Sequence, residues 1–451
     1  EPRAPSSEST PESTPTSALG SRDWGRPPSG GPVRWLYAVL VGLPLILALA
    51  RLGTGPWFHL SNPSGVRLLE GWPAGYEVAY YLAHFPTFLG SEPPQYAFSA
   101  VHYRSFLELY AVSAIYAWTG SAYWSFAAVD LLGWVLAGVA GYHLALRLGA
   151  ACWGAALGSL LLTASPLLVS NMWIHVLHLA EFATLPLGLW AALVLVDDAP
   201  RRARGYLAAA LGLVLLFLSL TYQYQWIMVP LVAVLLGARR DYRWRDRGLI
   251  LAGAILHFAG ATAALRLILG AVASSGEADI YTRAVAQPVA LAAVRLAEVL
   301  EGGRLTALFP GWSELRMMVE AYHPLVFGAG LLGLVFLPWR TRLLALVATG
   351  ATLGATSLYP APWTAMSAYP FIYAGAGVAC AGAGRWAGRA IGTLPWPARP
   401  AVRLGMREGT LEGAIGVGLA LVLFAVTNTD LAGDPAFLLR WWDLFSPHHL
   451  S

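Results

Sequence analysis

The 451-residue sequence contains no lysine, so all 29 of its basic side chains are arginine. That excludes Schiff-base chemistry and a lysine general base, and it leaves cations that stay charged at any useful pH. Charge of either sign is scarce, at 12 %, which excludes an ordinary water-exposed domain. Only two cysteines are present, Cys152 and Cys380. A disulfide framework and a cysteine-rich metal knot are thereby excluded, and each cysteine reads as a small apolar filler. No Walker-type phosphate loop, dinucleotide-binding glycine fingerprint or catalytic Ser/His/Asp string stands out. The net charge of +4 gives no sign of a nucleic-acid partner.

What is present is apolar: 57 % hydrophobic residues, a mean hydropathy of +0.56 and 19 tryptophans. Repeated apolar runs of roughly 20 residues predict an all-α membrane protein, a polytopic helical bundle of about 11 spans. The runs fall at 33–53, 121–146, 150–170, 176–197, 205–221, 225–237, 248–270, 323–338, 343–358, 365–382 and 412–427. A shorter run, 105–118, is ambiguous. Arginine position decides it, because arginines mark cytoplasmic loops. The basic segments are the N-terminal tail, Arg147, 201–204, 239–247, Arg340/Arg342, and 385–407. All fall on one side with the N-terminus if 105–118 lies on the outer surface as a juxtamembrane helix, with Arg104 and Glu108 paired at i,i+4. The expected location is the cell (plasma or inner) membrane, multi-pass, with the N-terminus cytoplasmic.

This layout divides the chain into a Pro/Ser/Thr-rich disordered tail at 1–31, a membrane domain at 32–430, and an external tail at 431–451. Two large external loops are expected, at 54–120 and 271–322. The first holds "GWPAGYEVAYYLAHF" (71–85), where Glu77, Tyr80, Tyr81 and His84 fall on one helical stripe. Val78, Leu82 and Phe85 occupy much of the opposite side, as in a helix lying along an interface. Small-xxx-small patterns such as "AGVAGYHLA" read as helix packing.

The arrangement resembles the GT-C superfamily of polytopic glycosyltransferases, which includes the protein O-mannosyltransferases and the lipid A aminoarabinose transferases. "YEVAYYL" (76–82) stands where that family carries an external acidic motif, and "HYRSFLELYAVSAIYAWTG" (102–120) is similar to its juxtamembrane helix. "LLLTASPLLVSN" (160–171) resembles its Ser-Pro exit, "LGLVLLFLSLTYQYQWIMVPLVAVLL" its broken pair of spans, and "SAYPFIYAGAGVACAGAG" its proline-containing late span. The sequence departs from the family in three places. Tyr76 replaces the usual Asp of Asp-Glu, "LTYQYQW" has no basic residue, and none precedes the late proline between 343 and 370.

The resemblance implies transfer of a sugar from a polyprenyl-phosphate donor to an envelope acceptor (glycan, lipid or protein) at the outer face, with membrane lipid as surroundings. Because the leaving phosphate needs no proton, one carboxylate acting on the acceptor suffices, unlike the paired acids of glycoside hydrolysis. Glu77 is the candidate catalytic base or acceptor anchor, with Glu70 in reserve. Tyr81 and His84 share its stripe. Charge developing on the phosphate calls for cations or donors, for which His102, Arg104 and Arg266 are candidates. His175 and His178, with Glu181, read as cavity lining, since i, i+3 and i+6 spread around a helix; they leave a divalent metal open. His323 faces the same side and joins either role. Two other readings stand beside this one: a secondary transporter or lipid flippase, and a non-catalytic lipid-binding scaffold of the same architecture.

Overall fold

The computed structural model describes residues 33–52, 106–120, 122–165, 322–358, 368–392 and 408–433, with scattered positions within 168–194, 243–247 and 315–319. Among the described residues the chain is helical, with no strand. The helices are α1 (Val33–Leu52), α2 (Phe106–Thr119), α3 (Ala122–Arg147), α4 (Cys152–Thr163), α5 (Pro324–Val335), α6 (Trp339–Leu358), α7 (Tyr369–Gly392) and α8 (Glu408–Gly433).

Glycine decides how these helices approach one another. Helix α7 is the centre, packed on α5, α4 and α8 and touching α3. A Cβ on Gly375 would run into the backbone of Gly330, and one on Gly333 into that of Gly375. On the other side of α7, a Cβ on Gly377 would strike the backbone of Gly154 and Gly158. Backbone therefore meets backbone along both seams, and no residue larger than glycine fits there. The pairing of 154 with 378 and of 158 with 373 makes α4 and α7 antiparallel, whereas 330 with 372 and 333 with 375 makes α5 and α7 parallel.

Between α3 and α4 the chain reverses in one tight turn. Gly149 adopts φ 97°, the Gly149 amide donates to Leu146 O (3.0 Å), and the Ala150 amide donates to Ala145 O (3.0 Å). This is a Schellman ending, in which glycine takes the left-handed position without a Cβ clash. Further along the pair, a Cβ on Gly138 would meet Thr163 Oγ1 and one on Gly141 would meet Leu162, so the "AGVAGYHLA" stripe is packing surface. The fully buried Trp134 donates Nε1–H to Thr163 O at 2.7 Å, and Ser159 Oγ donates to Gly138 O. Trp134→Phe should destabilise the bundle by about 2 kcal/mol, because a buried carbonyl loses its donor and part of a ring's volume is left empty. Chemical denaturation of the two proteins measures it.

The directions follow from these contacts. One end of the bundle gathers the starts of α3, α5 and α7 with the end of α4. The other gathers the starts of α1, α4, α6 and α8 with the ends of α3, α5 and α7. There Thr341 Oγ1 donates to Leu148 O at 2.5 Å, fastening α6 to the α3–α4 turn. The core is lined by Leu40, Trp134, Leu144, Leu162, Tyr322, Phe371 and Ile372. Isoleucine, leucine and phenylalanine also face outward, among them Ile46, Leu332, Phe336, Leu346 and Leu421.

The expected fold class is corrected on its main point. Helices stand at eight of the apolar runs, 105–118 included, but among the described residues no helix is long and apolar enough to cross a membrane. The polytopic membrane bundle of about 11 spans is therefore not what the described residues form. Length is one reason. Helices α4 and α5 have 12 residues each and α2 has 14, hence about 18–21 Å against the roughly 30 Å of a bilayer core. Composition is the other, for α6 and α7 are diluted by glycine, threonine and arginine. The same glycines that read as part of an apolar span are spent on close helix contact. The multi-pass location in the cell membrane, with a cytoplasmic N-terminus, is overturned by the same finding. The runs at 176–197, 205–221, 225–237 and 248–270 lie wholly or mostly outside the described residues, as do both tails, nearly all of 271–322 and the part of 54–120 before α2.

Candidate functional site

At the end of the bundle where α5 and α7 begin, the structure joins three segments far apart in sequence. Tyr322 is buried just before α5, its ring stacked on Phe327 (centroids 6.0 Å apart) and edge-on to Tyr373 (6.2 Å). Tyr369 and Tyr373 are buried in the first turns of α7. Tyr373 is hydrogen-bonded to Ser165, which lies just past the end of α4 and is itself buried. Burial pushes the Tyr373 phenol above its ordinary range, against the smaller opposing pull of the Ser165 hydrogen bond, so the group stays neutral. The Ser165 hydroxyl also accepts from the Leu168 amide at 3.2 Å.

His323, next to the buried Tyr322, is half-buried and in an unusual backbone conformation. Its φ is 68° and ψ 133°, the one positive-φ residue other than glycine among the described residues. That region is close to glycine-only and costs of order 1–3 kcal/mol for any other residue. The histidine is held there as the cap of α5. Its Nδ1 accepts from the Leu325 amide (3.3 Å), its carbonyl accepts from the Phe327 amide (3.0 Å), and Pro324 follows at the first helical position. With Nδ1 accepting, the ring proton is on Nε2, which makes that nitrogen a donor.

His323→Gly should leave stability unchanged or slightly higher, since relief of the backbone strain offsets the lost cap. Thermal unfolding of the variant beside the parent checks this.

Of the candidate site residues named from the sequence, His323 is the one the described residues include. Glu77, Tyr81, His84, His102, Arg104, Arg266, His175 and His178 lie outside them, as do Glu70 and Glu181. Among the described residues no group of three His, Cys, Asp or Glu side chains converges on a point where a metal ion could sit.

A second polar cluster, at the opposite end, has no counterpart in the sequence reading. The Tyr37 hydroxyl is 2.6 Å from His143 Nε2, the Tyr142 hydroxyl is 3.3 Å from Cys152 Sγ, and the two tyrosine rings meet edge-on at 6.2 Å. Burial holds the His143 imidazole below its ordinary pKa, so the ring is neutral at physiological pH. Cys152 is thus a hydrogen-bonding partner as well as a filler, whereas Cys380 lies in the core, and both thiols are free. No local pattern could have shown the Tyr37–His143 pair. The two residues are 106 positions apart and meet only because α1 docks against α3.

The described fold is an α-helical bundle with glycine-lined seams around α7. No protein-family model matches the chain, and no curated protein matches it.

Proposed function

We propose that this protein transfers a sugar from a polyprenyl-phosphate donor to a hydroxyl or amine acceptor, with Glu77 acting on the acceptor. The observation that carries the reading is a juxtaposition. Two segments that resemble GT-C motifs, the Ser-Pro exit (Ser165) and the late Tyr-Pro segment (Tyr369 and Tyr373), meet at one end of the bundle beside His323. Strained, non-glycine backbone at such a point is kept where the surroundings over-determine it, which is common at ligand-binding positions. An Nε2–H donor suits a phosphate oxygen, and the leaving phosphate of the proposed reaction needs donors but no acid.

The test uses the full chain with synthetic polyprenyl-phosphate sugars, following release of polyprenyl phosphate. Release that depends on an added acceptor supports the reading, and His323→Gly should slow it. Donor binding without release would favour the non-catalytic lipid-binding reading. Neither binding nor release with any lipid-linked sugar would remove the proposal.

A further inference from the structure

At the end of the bundle away from His323, we infer a docking surface for the anionic headgroups of phospholipids, formed by arginine and tryptophan side chains from three helices. The inference is independent of the proposed sugar transfer. It begins with where the helices stop. Gly377 and Val378 lie level with Gly154, so Cys152 is level with about residue 380 and α7 continues to Gly392. The last three turns of α7 therefore project roughly 18 Å past the start of α4. Arg385, Trp386 and Arg389 stand on this projection, all exposed, with Trp386 at 75 %. Arg385 and Arg389 are one turn apart and share a face.

Around its base, Trp339 and the exposed Arg342 open α6, and Trp153 opens α4 with nearly half its surface outside. With Arg340, that makes four arginines from α6 and α7, set against Glu408 and Glu412 at the start of α8.

The alternation of the two residue types is what selects the partner. Guanidinium groups pair bidentately with phosphate, and tryptophan is the side chain best suited to the boundary between headgroups and acyl chains. Val335 and Phe336, exposed at 59 % and 70 %, lie at the end of α5 just before Trp339, so apolar surface adjoins the charged rim. A surface for nucleic-acid phosphates would gain nothing from that shelf. Anionic lipid fits both parts, with phosphate at the arginines and the upper acyl chain against the shelf.

The experiment measures binding of the full chain to vesicles of phosphatidylcholine alone and to vesicles containing about one third phosphatidylglycerol. Binding should favour the anionic vesicles and weaken as salt is raised. The combined variant Arg342→Gln/Arg385→Gln/Arg389→Gln should bind them about 100-fold less tightly. All three side chains are exposed, so the helix content of the variant should match the parent by circular dichroism. Trp386→Ala should reduce binding to the anionic vesicles with the arginines intact. Equal affinity for the two vesicle types, no response to the triple substitution in a folded protein, or displacement of the vesicles by single-stranded RNA would each overturn the inference.

Discussion

Gly377→Ala should cost the bundle about 3 kcal/mol, and Gly377→Val should leave little folded protein to purify. A Cβ at this position has no space to enter, because the nearest atoms are the Gly154 carbonyl and the Gly158 amide and Cα. Those atoms belong to the backbone of α4, which is itself clamped between α7 and α3, so no flexible side chain can swing aside. The helices must separate, and the contacts on both sides of the added methyl are lost together. Set against a total stability of about 5–15 kcal/mol for a typical domain, even the smaller change is large.

The control lies on the same helix. Gly382 has nothing within 4 Å of its would-be Cβ, so Gly382→Ala should be neutral, or stabilising by up to about 1 kcal/mol because alanine is the better helix former. Urea denaturation of the two alanine variants compares them directly. Equal stabilities would mean that the α4–α7 seam is not as tight as described.

Glu77→Gln should lower the rate of sugar transfer by about 10²–10⁴-fold, the range expected for loss of a positioned general base. Glutamine keeps the length and much of the hydrogen bonding of glutamate but cannot take a proton from the acceptor. Under the proposed reading donor affinity should be little changed, since that reading assigns the carboxylate to the acceptor and the phosphate to N–H donors such as His323. The result to look for is a fall in turnover with KM for the lipid-linked sugar nearly constant. Near-equal turnover in the two proteins would remove Glu77 from the mechanism. A rise in KM alone would make it an anchor for substrate.

The positions of the helices were legible along the chain because apolar periodicity and length are local properties. Eight predicted runs carry helices, 121–146 and the ambiguous 105–118 close to their expected bounds, whereas the helix at 365–382 runs on to Gly392 and that at 150–170 stops at Thr163. The gathering of Arg147, Arg340, Arg342, Arg385 and Arg389 at one end also follows from the order of turns. What those helices do was not legible. Glycine and alanine add to an apolar run whether they face surrounding hydrocarbon or another helix, so "AGAGVACAGAG" looks the same in either setting. Only the docking of α7 between α4 and α5 shows its glycines meeting backbone at closest approach. Two features of the candidate site were hidden for a related reason. The strain at His323 resides in its φ and ψ, which depend on the helix it caps. The Tyr322–Tyr373–Ser165 cluster joins Ser165 to tyrosines more than 150 positions away, and proximity over such a separation is decided by packing alone.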